Sequence, residues 1–87
     1  MIRYRRHADL RLTRLDEDGV ALHLGERKYV TVNGTGATVL EALEAPKSVD
    51  ELVAVVCAAY EVNAETARET IEAFLAECER AKLVERE

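Results

Sequence analysis

Two histidines, two cysteines and 17 acidic residues are the groups in this 87-residue chain that could move protons, attack a substrate or hold a metal. Their spacing points away from each of those chemistries. His7 closes a basic stretch, Met1-Ile2-Arg3-Tyr4-Arg5-Arg6-His7, which is expected to be frayed, residues 1–8 being flexible. His23 alternates with Leu22 and Leu24, which on a half-buried strand turns it to solvent. Cys57 and Cys78 lie among alanines and valines at helical spacing and read as buried free thiols of a reducing compartment, since two cysteines make no disulfide framework. A catalytic Cys–His pair needs thiol and imidazole within hydrogen-bond reach, and no local spacing brings His23 to a cysteine. CxxC, HExxH and an acidic calcium loop are all missing. Asn33-Gly34-Thr35-Gly36-Ala37 places GxG before a helix but lacks the third glycine of a dinucleotide site and the Lys-Ser/Thr of a phosphate loop, so it reads as a strand-to-helix turn. Glu65, Glu69, Glu72, Glu77 and Glu79 read as the solvated face of one helix, because paired-carboxylate catalysis needs burial to separate two pKa values. The expectation is a protein that is not an enzyme and carries neither metal nor cofactor.

The elements that would position any binding residues follow from periodicity. Leu10 and Leu12, then Val20, Leu22 and Leu24, then Val30 and Val32 alternate with other residues, the pattern of three strands each with one buried face. Asp16-Glu17-Asp18-Gly19 is a turn cluster, and Gly25-Glu26 begins a second, tighter turn. The result is an antiparallel meander whose third strand, Lys28 to Val32, is the candidate edge. Asn33 or Thr35 caps a short helix marked by Ala37, Leu40 and Leu43, which Pro46 stops. Ser48-Val49-Asp50-Glu51 is a capping box, followed by Leu52, Val53, Val56, Ala59 and Tyr60 on one helical face. Asn63 can cap a third, longer helix with the stripe Ala67, Ile71, Phe74, Leu75 and Cys78. Leu83-Val84 forms either a short closing strand or a packed tail. Strands followed by helices define an α+β class, here winged-helix-like: a three-stranded antiparallel sheet followed by three helices, in a single domain over residues 1–87.

Hydrophobic residues make up 48% of the chain and aromatic residues 5%, so the core must be built from Leu, Val and Ala. The formal net charge of -5 is uneven: residues 1–28 hold seven Lys/Arg against five Asp/Glu, whereas five Lys/Arg face twelve Asp/Glu from Glu41 onward. Such asymmetry either orients a charged peptide or merely solvates two surfaces. A winged helix that reads DNA inserts a cationic helix between phosphates. Here the third helix would bring Arg68, Arg80 and Lys82 against five glutamates, which argues against a nucleic-acid partner. No apolar run is long enough to span a membrane, and no signal-peptide stretch follows the basic start, so no membrane partner and a cytoplasmic location are expected.

The stretch Tyr29-Val30-Thr31-Val32-Asn33-Gly34-Thr35-Gly36-Ala37-Thr38-Val39-Leu40 resembles the PqqD family, with its aromatic-rich strand, apolar-Asn-x-Thr-Gly turn and helix. Ser48-Val49-Asp50-Glu51-Leu52 is similar to the family's capped second helix, Tyr60-Glu61-Val62 to the turn after it, and Phe74-Leu75 through Leu83-Val84 to its third helix and closing segment. The resemblance runs from Leu10 to Val84. Val32 stands where leucine is common, and Lys47 where glycine is frequent. The resemblance implies a leader-peptide-recognition domain: an adaptor that binds the leader of a ribosomally made precursor peptide and presents it to a leader peptidase, cyclase or other modifying enzyme. The chain length suits a discrete protein of lasso-peptide biosynthesis; a chaperone of a quinone-cofactor precursor and a winged-helix DNA-binding protein are the alternatives. By strand addition, the leader would lie along Lys28, Tyr29, Val30, Thr31 and Val32. The resemblance places the facing wall on the third helix, here Ala67, Arg68, Thr70, Ile71, Phe74 and Cys78. Ile71 and Phe74 fit a core stripe equally well, and Tyr29 either meets the ligand or occupies the outer sheet face. A monomer or an edge-mediated dimer is compatible with such an edge.

Overall fold

The computed structural model describes all residues, 1–87. Along the chain run β1 (Arg3–Arg6), β2 (Leu10–Leu15), β3 (Asp18–His23), β4 (Lys28–Val32), α1 (Gly34–Ala42), β5 (Lys47–Ser48), α2 (Val49–Ala59), α3 (Ala64–Arg80) and β6 (Val84–Arg86). Strands β2, β3 and β4 form the expected antiparallel meander in that order, which leaves β4 on an edge. The first turn, Asp16-Glu17, is the tight one: Leu15 pairs with Asp18 across it, and Asp16 adopts φ 58°. The second turn runs through four residues, 24–27, because His23 pairs with Lys28, and Arg27 adopts φ 54°. Lengths of the two turns are thus the reverse of the sequence reading.

Helix α1 starts at Asn33, whose side-chain oxygen accepts the Gly36 amide at 2.8 Å. It ends at Ala42, before Pro46 is reached. Pro46 instead precedes β5, whose extended backbone passes directly into the Ser48 cap of α2. Both halves of the capping box form: Glu51 N–H donates to Ser48 Oγ and Ser48 N–H donates to a Glu51 carboxylate oxygen. Leu52, Val53 and Val56 face inward on α2, whereas Ala59 is exposed and Tyr60 terminates the helix, with its hydroxyl 2.9 Å from Thr38 Oγ1. On α3 the inward stripe is Ala67, Ile71, Leu75 and Cys78, with Asn63 as cap. Leu40, Leu43, Leu52, Ile71 and Leu75 fill the centre of the molecule.

A second sheet corrects the expectation of a flexible start. β1 lies between β5 and β6, antiparallel to both, with Tyr4 opposite Lys47 on one side and Arg86 on the other. Tyr4 is buried, the Arg86 guanidinium lies 5.7 Å from its ring centre, and the His7 amide donates to Leu83 O at 2.9 Å. These partners are distant in sequence, so no local periodicity announces them. Leu83-Val84 accordingly leads into a closing strand.

His23 is the other correction: it points inward and is only 3% exposed, whereas Leu22 and Leu24 are 40% and 48% exposed. The phase of β3 is set by α1. A Cβ on Gly19 would lie 3.2 Å from Ala37 Cβ, and Ala21 on the same face is fully buried. Only small side chains fit beneath α1, so the small-residue face of β3 turns in and the larger leucines turn out.

Because Tyr4 anchors the second sheet, Tyr4→Ala should lower unfolding free energy by about 3 kcal/mol, within the range for large-to-small changes at buried aromatic sites. Urea denaturation followed by circular dichroism measures it. A terminus that contributed nothing to the fold would leave the midpoint unchanged.

Candidate functional site

The open edge of β4 presents backbone groups whose identity follows from hairpin geometry. Leu15 and Asp18 close a two-residue turn and form a hydrogen-bonded pair. Alternation then directs the backbone groups of Val20 and Leu22 to β2, and those of Gly19, Ala21 and His23 to β4. Val32, Val30 and Lys28 are their partners. The amides and carbonyls of Tyr29 and Thr31 therefore face the open side, where an added strand would meet them.

Beside this edge lies a groove of about 310 Å³, lined by Val30, Thr31, Val32 and Asn33 from the strand side and by Phe74, Glu77, Cys78, Ala81 and Leu83 from α3 and its exit. A smaller hollow of about 50 Å³ continues toward the start of α3 between Asn33, Thr35, Gly36, Val39, Thr70, Ile71 and Phe74. Phe74 lies against Gly36 and borders both spaces. The floor is apolar, and Glu77 is its charged element. At one end, Glu26 of the β3–β4 turn receives Lys28 Nζ at 3.4 Å and Lys82 Nζ at 3.2 Å, which ties the start of β4 to the exit of α3. Lys82 followed by Lys28 holds the Glu26 carboxyl below its ordinary range.

The sequence-derived site residues fall into three groups. Val30, Thr31, Val32, Phe74 and Cys78 meet in the groove. Thr70 and Ile71 border the smaller hollow, but Ile71 is completely buried and belongs to the core, as does Ala67. Arg68 turns away and pairs with Asp50 on α2. Tyr29 is 72% exposed on the outer sheet face, opposite Leu22, and Lys28 is engaged by Glu26. Sequence reasoning missed Asn33, Glu77, Ala81 and Leu83. Continuing the Phe74–Cys78 row by one turn reaches Ala81 at helical spacing, a signal that was present.

Cys78 is inert by environment. Burial first, and then the Glu77 carboxylate, push its thiol from 9.0 up to about 12. Cys57 is half-buried and stands apart, on α2.

The chain belongs to the PqqD family: the family described as coenzyme PQQ synthesis protein D (PqqD) matches residues 18–84. Its structure is similar to that of TbiB1 in complex with the TbiA(beta) leader peptide, with a TM-score of 0.82, 26% identity, and coverage of 93% of this chain and 94% of that one. It is also similar in fold to lasso peptide synthetase B1 complexed with the leader peptide, with a TM-score of 0.78, 20% identity, and coverage of 94% of this chain and 96% of that one. No curated protein matches the sequence.

The raised thiol gives a pH dependence with a defined sign. The folded state holds the Cys78 proton more tightly than the unfolded state, so its contribution is complete below pH 9.0 and is lost as pH rises toward about 12. Above pH 9.0, stability of the wild type should therefore fall more steeply than that of Cys78→Ala. Urea midpoints of both proteins across that window measure the difference; parallel curves would refute the assignment.

Proposed function

We propose that this protein is a non-catalytic adaptor that captures the leader of a ribosomally synthesised precursor peptide and presents it to a modifying enzyme, a leader peptidase or cyclase, in lasso-peptide biosynthesis. The observation that carries the reading is the open β4 edge running beside an apolar groove walled by α3. An extended peptide would pair with the Tyr29 and Thr31 backbone groups and drop alternate side chains between Val30 and Val32 on one side and Phe74, Cys78 and Ala81 on the other. Backbone pairing supplies affinity that is tolerant of sequence, and the groove supplies selection.

Family membership and the leader-bound state of the two similar structures support this ligand. Glu77 in the groove favours a leader with a cationic or hydrogen-bond-donating residue there. Two of the three cations a DNA-binding helix would use are engaged, Arg68 with Asp50 and Lys82 with Glu26, which leaves Arg80 alone among the glutamates of α3. No helix is long and apolar enough to cross a membrane, and the cytoplasm is the compartment in which we place the protein. Without leader, the same edge is available for pairing with a second copy.

Thr31→Pro tests the strand-addition mechanism, because proline removes the outward amide while the inward bonds of Val30 and Val32 to β3 remain. Fluorescence polarisation with labelled leader from a neighbouring precursor gene should show saturable binding to the wild type, weakened on the order of tenfold or more in the variant. A scrambled leader that binds equally well would sink the proposal. Ile71→Glu is unsuitable as a probe, because a carboxylate at that fully buried position would unfold the core.

A further inference from the structure

Away from the groove, three potential ligands converge where the β1–β2 link meets the end of β3. One donor atom each from His7, Asp9 and His23 lies within 4.8 Å of the other two. The rings of His7 and His23 are 4.4 Å apart, inclined at 43°. His23 is 97% buried, being 3% exposed, and its Nε2 has no hydrogen-bond partner. An unpartnered imidazole nitrogen at such depth is rare in folded proteins. The site also depends on Gly25: a Cβ there would lie 2.6 Å from an Asp9 carboxylate oxygen and 3.3 Å from His23 Cε1. The missing side chain is what admits the carboxylate to the imidazole. Glu85 adds a second carboxylate, with Oε1 3.6 Å from His7 Nε2.

We propose that His7, Asp9 and His23 bind one divalent transition-metal ion of the zinc class. Two imidazoles with a carboxylate suit Zn²⁺ and its neighbours, whereas Mg²⁺ and Ca²⁺ demand oxygen ligands. Donors on one tetrahedral Zn²⁺ stand about 3.3–3.6 Å apart, so a trio spread within 4.8 Å needs to close by up to about 1.5 Å. The β3–β4 turn can accommodate this, since residues 24–27 are all exposed. His23 Nδ1 accepts the Glu26 amide at 3.1 Å, which fixes the neutral ring with its proton on Nε2. His7 Nδ1 likewise accepts the Asp9 amide at 3.0 Å, so ligation of either ring through Nε2 moves its proton to Nδ1, with no net proton release, and turns the donating amide, of Asp9 or Glu26, to water. The ion would therefore clip the N-terminal segment to the turn that leads into β4. Charged groups around the site are Glu85 on β6, Glu26 with its partners Lys28 and Lys82, and Arg11, whose guanidinium donates to the Ala8 and Leu10 carbonyls.

Calorimetric titration of the full chain with Zn²⁺ should show one site, and Co²⁺ should give the intense visible bands of a tetrahedral ion. Asp9→Asn and His7→Gln should each weaken Zn²⁺ binding at least about tenfold while circular dichroism stays unchanged. His23→Gln should abolish binding; should that variant fail to fold, the other two still decide. Mg²⁺ should not compete. Absence of saturable Zn²⁺ binding, or binding indifferent to Asp9→Asn and His7→Gln, overturns the site.

Discussion

Between β3 and α1 there is space for only the smallest side chains. Gly19 lies under Ala37 so closely that even a methyl group there would press on its neighbour, and Ala21 on the same face is fully buried. This contact fixes which face of the meander is inside. Once β3 has its small-residue face inward, antiparallel pairing passes the phase to both neighbours. Leu10 and Leu12 point to the core on β2, and Val30 and Val32 on β4. Leu22 and Tyr29 are carried outward as a cross-strand pair. The side-chain floor of the groove is thus decided on the neighbouring strand, β3, rather than in the groove itself.

The same register decides which backbone groups β4 leaves unpaired. An exposed edge of this kind invites association, and here it is flanked by α3 without being covered by it. The half-buried Phe74 borders an apolar channel between helix and strand, and the Glu26–Lys82 bridge ties the two together at one end of it. An extended segment entering it would gain both ladder bonds and apolar burial, which neither a bare edge nor a bare cleft provides.

The uneven charge of the sequence takes a specific form in space. The basic start is a strand that meets an acid from the other end of the chain, Arg5 reaching Glu85 at 3.1 Å, while within the C-terminal end Arg86 reaches Glu79 at 2.9 Å. These are exposed pairs and contribute little stability singly. Their role is to accompany the burial of Tyr4, which does hold the second sheet.

The sequence by itself determined what depends on neighbours a few residues apart. The three meander strands, the caps at Asn33, Ser48 and Asn63, and the inward stripe of α3 were legible because alternation, capping chemistry and helical spacing are local. The candidate edge was legible too, as a consequence of strand order. Tertiary structure alone decided the rest. β1 needed β5 and β6, some 40 and 80 residues away. The inward turn of His23 needed α1 to impose small residues on β3, against an alternation in which Leu22 and Leu24 looked like the buried set. The α3 wall lies further toward the C-terminus, losing Ala67 and Arg68 and gaining Glu77 and Ala81, because the early residues are taken up by the core and by Asp50 on α2. Periodicity names the buried face of each element; only packing between elements says where that face ends and an open groove begins.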